Sequence, residues 1–109
     1  MHNELTISGA HPTTLRYYEW TPAPADDGSA PVPLAVVQLA HGMVEHLGRY
    51  APLAEYLTQQ GYTVVGADHR GHGLSANSRN PLGYFGNGVT WNDIVDDLHA
   101  VRTYATERY

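Results

Sequence analysis

The chain has 109 residues, 42% apolar and 16% charged, with a formal net charge of −5 and no cysteine. That balance suits one small domain with a buried core and excludes wholesale disorder. It also excludes a nucleic-acid partner, since nothing basic would release counterions from a phosphate backbone, and it excludes disulfides, thiolate zinc sites and a cysteine nucleophile. Met1 to Ala10 lacks the basic and apolar regions of a signal peptide, and no apolar stretch reaches transmembrane length, so a cytoplasmic setting is expected.

Glu4–Ser8 alternates around Leu5 and Ile7, and Leu15–Trp20 is aromatic-rich, with turn residues from Gly9 to Thr13 between them. The pair reads as an antiparallel hairpin, although its second strand alternates poorly. Thr21 to Pro33 holds four of the seven prolines and reads as a surface loop. Leu34–Ala40 and Thr63–Ala67 are nearly continuous apolar runs, expected of parallel strands covered on both faces. Between them Tyr50, Leu53, Ala54 and Leu57 form a helical stripe, with Pro52 in the first turn and Gly61 just past the end. Residues 34–68 are therefore a strand–helix–strand unit, followed by a loop over 69–89. A helix over 90–109 begins with Thr90 and Asp93 at N-cap spacing and carries Trp91, Ile94, Val95, Leu98, Val101 and Ala105 as its apolar stripe. It meets no stop signal before Tyr109. Two parallel strands would have to bury two amphipathic helices, so the 1–109 chain is expected to be a single segment of a larger domain with an incomplete sheet.

Two loops carry candidate chemistry. His41-Gly42-Met43-Val44-Glu45-His46 follows the first apolar run, and Asp68-His69-Arg70-Gly71-His72-Gly73-Leu74-Ser75 follows the second. Acyl transfer turns a carbonyl oxygen into an oxyanion, and backbone N–H groups aimed at it supply several kcal/mol. A glycine at a strand end lets the next N–H turn into a cleft.

The two loops with Arg49-Tyr50, in this order around a helix, resemble the α/β-hydrolase family, and within it the monoacylglycerol lipase, lysophospholipase and serine aminopeptidase branch. The resemblance covers roughly residues 15 to 109. It implies a serine hydrolase of carboxylic esters acting on an acyl ester or lipid, with no metal and no cofactor, and with transient membrane contact compatible with the fold. It implies that the Met43 backbone N–H is one oxyanion donor, that His41 and Gly42 shape its loop, and that Asp68, Arg70, Gly71 and Gly73 build a structural loop beside the site. The nucleophilic serine, the acid and the histidine are expected beyond Tyr109, so no catalytic residue is assigned here. The chain alone is expected to be inactive. An aminopeptidase of the same fold and a non-catalytic interaction fragment remain alternatives.

Other readings of the same residues are weaker. Gly73-Leu74-Ser75-Ala76-Asn77 approaches a nucleophile elbow, but Ser75 follows a glycine-rich loop instead of a strand, and Asn77, Asn80 and Pro81 oppose a helix after it. A loop hydroxyl bonded to nearby backbone is the expected role of Ser75. Asp68, His69 and His72 with His41 and His46 would suit zinc by residue type, yet His41 to His46 lacks the His-Glu-x-x-His spacing. The same stretch is not a Gly-x-Gly-x-x-Gly dinucleotide turn. Tyr17, Tyr18, Trp20, Tyr84, Phe85 and Trp91 are either core or a lipid-facing surface, and sequence does not separate the two. Gly83, Gly86 and Gly88 mark Asn80 to Gly88 as a flexible loop.

Overall fold

A computed structural model describes residues 1–10, 13–77 and 81–109. The middle of the expected Gly9–Thr13 turn and the first residue of the Asn80–Gly88 loop lie outside them. The described residues form β1 (His2–Ser8), β2 (Thr14–Trp20), β3 (Val36–Leu39), α1 (Ala51–Gln59), β4 (Thr63–Ala67) and α2 (Trp91–Arg108). Short 3-10 turns at Leu47–Tyr50 and Gly73–Ser75 follow β3 and β4, respectively.

The sheet runs β1-β2-β4-β3. β1 and β2 form the antiparallel hairpin, with Leu5 opposite Tyr17 and Ile7 opposite Leu15. β2 then pairs antiparallel with β4, and β3 lies parallel to β4 with Val37 opposite Val64. The two apolar runs therefore lie side by side in the same direction. β2 is an interior strand, which explains its poor alternation. Leu15 and Tyr17 pack with Val65, Ala67, Val101 and Ala105 on the α2 face, while Tyr18 and Trp20 pack with Leu47, Ala54 and Val64 on the α1 face. Successive residues of a strand point to opposite faces, so a strand covered on both sides is apolar throughout.

β4 is buried along its whole length, but β3 is not. The expected strand over Leu34–Ala40 is four residues long, Val36–Leu39, and β3 ends the sheet among the described residues. Leu34 stays exposed, its N–H bonded to Gly61 O (2.9 Å).

Both helices depart from their expected stripes. In α1 Ala54 is buried and Leu57 and Tyr50 pack against the core, but Leu53 is 46% exposed. In α2 Trp91 is 73% exposed and Val95 is also outside, whereas Ile94, Asp97, Val101 and Ala105 are buried. Asp97 shares the inward face because its carboxylate is paired there with Arg70. The α2 start is as expected: Thr90 Oγ1 accepts from Asp93 N–H (3.3 Å), and the Asp93 carboxylate accepts from Thr90 N–H (2.8 Å), a reciprocal cap. Its last turn is held by Glu19 of β2. Burial alone would raise the Glu19 pKa, but hydrogen bonds from Arg108 (2.6 Å) and Tyr109 (3.0 Å) hold the carboxyl below its usual range.

Candidate active site

Because β3 and β4 are parallel, the loops that leave Leu39 and Ala67 emerge at the same carboxyl edge of the sheet, where open α/β sheets place their ligands. Five side chains join these loops to each other and to the hairpin.

Asp68 is fully buried directly after β4. One carboxylate oxygen accepts the Leu47 N–H (2.7 Å), and the other accepts the Tyr18 hydroxyl (2.8 Å) and the Leu74 N–H (2.9 Å). This carboxylate thus ties the start of the 3-10 turn before α1 to β2 and to the turn at Gly73–Ser75. The Tyr18 hydroxyl is pushed up in pKa, first by burial and then by its bond to Asp68. Gly73 makes room for the arrangement: a Cβ there would stand 2.5 Å from an Asp68 oxygen, at φ +47. Gly71 is equally constrained, since a Cβ would meet Tyr84 O at 2.0 Å and its φ is +72.

His41 and His69 bridge the two loops reciprocally. The His69 N–H donates to His41 Nε2 (2.9 Å), so that nitrogen is an acceptor and the ring proton sits on Nδ1, 2.7 Å from Gly42 O. His69 Nε2 lies 2.9 Å from His41 O and donates to it. The His41 ring is therefore neutral. Burial is the leading cause that lowers both pKa values. A histidine held neutral by the fold contributes stability that is fully present above its unfolded value, 6.5, and is lost as pH falls below it, because the unfolded chain takes up the proton first. The urea midpoint is accordingly expected to fall between pH 7.5 and pH 5.5. The fall is expected to be smaller in His69→Gln, whose amide can donate the same bond but binds no proton. Equal falls in both proteins would remove this role.

Glu45 clamps the loop after β3. Its carboxylate accepts Gly42 N–H (3.1 Å), the Tyr50 hydroxyl (2.7 Å) and Arg49 Nη1 (3.2 Å). The expectation that Gly42 supplies the bend is corrected here. Gly42 does not occupy the left-handed region, and an added Cβ would meet Glu45 only at ordinary contact distance, 3.6 Å. The bend falls on Val44, at φ +58, an outlying conformation for a β-branched residue. Met43 is 59% exposed beside it, and among the described residues its N–H has no hydrogen-bond partner. The Val44 N–H is likewise unpartnered among those residues.

Arg70 points away from this edge. It forms a two-point pair with Asp97 of α2 (both contacts 2.8 Å), each side chain 3% exposed. Arg70 also donates to Ala10 O (2.6 Å), while Asp97 accepts Ala10 N–H (2.8 Å), so the pair anchors the hairpin turn and α2 to the second loop. The hydrogen bonds that Arg70 donates to Asp97 are the leading cause that raises the Arg70 pKa.

Ser75 is buried and structural. Its Oγ donates to Asp68 O (2.7 Å) and accepts Arg16 N–H (2.9 Å) at the edge of β2. Ser75→Ala is expected to leave the Arg16 N–H unpaired, a loss of about 1–3 kcal/mol measured by urea unfolding, with no change in fluorophosphonate reactivity. Loss of labelling in that variant would return Ser75 to the list of nucleophiles. Among the described residues no group of three or more His, Asp or Glu side chains has metal-binding geometry. The reason is visible: His41 commits both nitrogens, and His69 its Nε2, to protein groups.

A cleft of about 760 Å³ opens beside these loops. Val44, Glu45 and His46 line it, while His41 to Met43 do not. The aromatic residues divide: Tyr17, Tyr18 and Trp20 are core, whereas Tyr84 and Trp91 are exposed.

Four residues with structural roles here carried little sequence signal. Asp97 was the most legible, since an acidic residue three after Ile94 on an apolar face calls for a buried partner. The Tyr18, Glu45 and His69 contacts depend on distances that spacing does not encode.

The sheet order, two-sided helix cover and paired loops define an α/β-hydrolase. A carboxyl esterase from Bacillus coagulans superposes with a TM-score of 0.80 at 24% identity over 99% of this chain and 33% of its own. A soluble variant of monoglyceride lipase from Saccharomyces cerevisiae does so with 0.69 at 20% identity, over all of this chain and 31% of its own. The family model described as serine aminopeptidase, S33, matches residues 31–109, and the chain belongs to that family. It is 38% identical over 77 residues to a monoacylglycerol lipase from Mycolicibacterium smegmatis, covering 71% of this chain and 25% of the relative. It is 37% identical over 71 residues to a monoglyceride lipase homolog from monkeypox virus, covering 65% and 25%. The chain thus spans about a quarter of the length of these curated relatives, and it is an α/β-hydrolase of the monoglyceride lipase type at family level. Among the described residues no helix is long and apolar enough to cross a membrane.

Proposed function

We propose that this chain is the amino-terminal portion of a cytoplasmic serine hydrolase that cleaves a monoacylglycerol-like lipid ester, with the Met43 N–H as one of two oxyanion donors. The observation that carries the reading is the Met43 amide, which has no hydrogen-bond partner among the described residues, in an exposed residue at the carboxyl edge of parallel β3 and β4 and in a loop clamped by Glu45. In the complete site a serine oxygen attacks the acyl carbonyl while a histidine, oriented by an acid, takes its proton. The carbonyl oxygen becomes negative and is held by Met43 N–H and by the N–H after the nucleophile. Collapse expels the alcohol with the histidine's proton, and water then releases the carboxylic acid. His41, His69, Asp68, Arg70, Gly71 and Gly73 position the loops and take no part in proton transfer. No metal or organic cofactor is required by this chemistry.

The test replaces the matching 77-residue segment of the M. smegmatis lipase with the corresponding residues of this chain. The chimera is expected to react with a fluorophosphonate probe and to hydrolyse a monoacylglycerol, while the 109-residue chain alone is not labelled. A folded chimera that is neither labelled nor active would overturn the reading in favour of a non-catalytic fragment. The family description supports a second substrate class, the peptide bond at a free N-terminus. An aminoacyl-naphthylamide cleaved faster than the ester by the same chimera would establish it.

A further inference from the structure

Met43 and Val44 are the two central residues of a turn between Gly42 and Glu45, and the second of them takes φ +58. Glycine or asparagine normally fills a second turn position with positive φ. A β-branched residue there lowers the population of the conformation by about tenfold, because its Cβ crowds the neighbouring carbonyl oxygen. Val44 is the single non-glycine residue with positive φ among the described residues.

Packing does not impose this bend, since Val44 is 84% exposed and Met43 is exposed beside it. The bonds that hold the turn lie at its ends. At one end the Glu45 carboxylate accepts the Gly42 N–H (3.1 Å), and His41 Nδ1 donates to the Gly42 carbonyl (2.7 Å). At the other, the Asp68 carboxylate accepts the Leu47 N–H (2.7 Å). Glu45 is itself fixed by the Tyr50 hydroxyl (2.7 Å), whose ring packs on the α1-side core, and by Arg49 (3.2 Å). Its carboxylate thus reaches back across Val44 and Met43 and closes the turn over the strained residue. Without it, Gly42 is held at its carbonyl alone. A single hydrogen bond fixes a point, but not the direction of the peptide that carries the Met43 N–H.

We propose that Glu45 is the positioning residue of this turn: it holds Val44 in a strained left-handed bend, and loss of its carboxylate lets the bend relax and the Met43 amide lose its aim. The catalytic half of this inference rests on the oxyanion reading of Met43, while the strain is a property of the chain by itself. Strain kept at such a position trades stability for pre-organisation. Turnover and stability therefore respond to Glu45 in opposite ways.

The test is a double-mutant cycle of Glu45→Ala and Val44→Gly, read once as turnover and once as stability. In the lipase chimera, Glu45→Ala is expected to lower kcat about tenfold with KM nearly unchanged, because the relaxed turn still binds substrate. In the Val44→Gly background, where the left-handed bend is unstrained, the same change should lower kcat by less than about threefold. In the 109-residue chain the order reverses. Glu45→Ala should lower the urea midpoint less beside Val44 than in the Val44→Gly background, because relaxation of the valine offsets part of the lost hydrogen bonding. Tyr50→Phe removes one bond to Glu45 and keeps the ring, so it should follow Glu45→Ala in both readouts with smaller effects. A clamp that merely stabilised the fold would show no dependence on residue 44. Equal kcat losses in the two backgrounds of an active chimera would overturn the proposal and leave the hydrolase reading standing. Equal midpoint shifts in the two backgrounds would overturn it as well. A folded but inactive chimera would remove the hydrolase reading, and the stability cycle alone would then decide whether Glu45 holds the strained turn.

Discussion

Met43→Pro in the lipase chimera is expected to lower kcat by about 10²–10³ with little change in KM, the cost of removing one oxyanion donor. The substitution deletes one N–H and little else. Proline restricts the preceding residue to extended backbone, and that residue is Gly42, which tolerates the restriction. The Glu45 clamp acts on the Gly42 N–H and on Tyr50, so it survives the change. The drop should fall on kcat because the bond strengthens only as the carbonyl oxygen becomes charged. Met43→Ala keeps the amide and serves as the control, with kcat expected to stay within a few-fold of the parent. If the two variants behave alike, Met43 is not the donor. The Val44 amide is the neighbouring candidate, but it cannot be tested in the same way, because φ +58 excludes proline.

Asp97→Ala is expected to cost about 3–5 kcal/mol, a large part of the total stability of a domain this size. It strips Arg70 of both 2.8 Å contacts inside a site where each side chain is 3% exposed, and it unpairs the Ala10 N–H. A charge left without its partner in such a place is the dominant loss, exceeding the net worth of the pair itself. Two further variants separate the contributions. Asp97→Asn retains an acceptor for Arg70 and Ala10 but removes the charge, so its loss should be intermediate. Arg70→Met combined with Asp97→Leu leaves only the Ala10 backbone groups unsatisfied, a residual of about 1–3 kcal/mol. Urea unfolding followed by circular dichroism measures all three. A loss below about 1 kcal/mol for Asp97→Ala would mean that water reaches the pair as it does at a surface.

The same pair explains why the Asp68 to Ser75 stretch holds its form. Arg70 is fixed to α2 and the hairpin turn, Ser75 to β2, and Asp68 to the first loop. Its polar anchors Asp68, His69, Arg70 and Ser75 therefore serve geometry, as do its glycines Gly71 and Gly73, where a side chain would strike Tyr84 O or the Asp68 carboxylate. Glycine alone suits such close approaches.

What the chain revealed unaided were features set by neighbours in sequence. The cap of α2 at Thr90 and Asp93 and the apolar runs at Thr63–Ala67 and before His41 depend on backbone rules that act over a few residues. The strand–helix–strand order then required β3 and β4 to be parallel, which brought both loops to one edge. What only the tertiary structure decided were contacts between distant positions: Glu19 with Arg108 across 89 residues, Asp68 with Tyr18 across 50, and Arg70 with Asp97 across 27. It also moved the bend of the first loop from Gly42 to Val44 and made β2 an interior strand. Periodicity reports which face of an element is apolar, but not which element will cover it. A carboxylate's partner is set by where the sheet and helices bring the chain back together, and no local spacing carries that information.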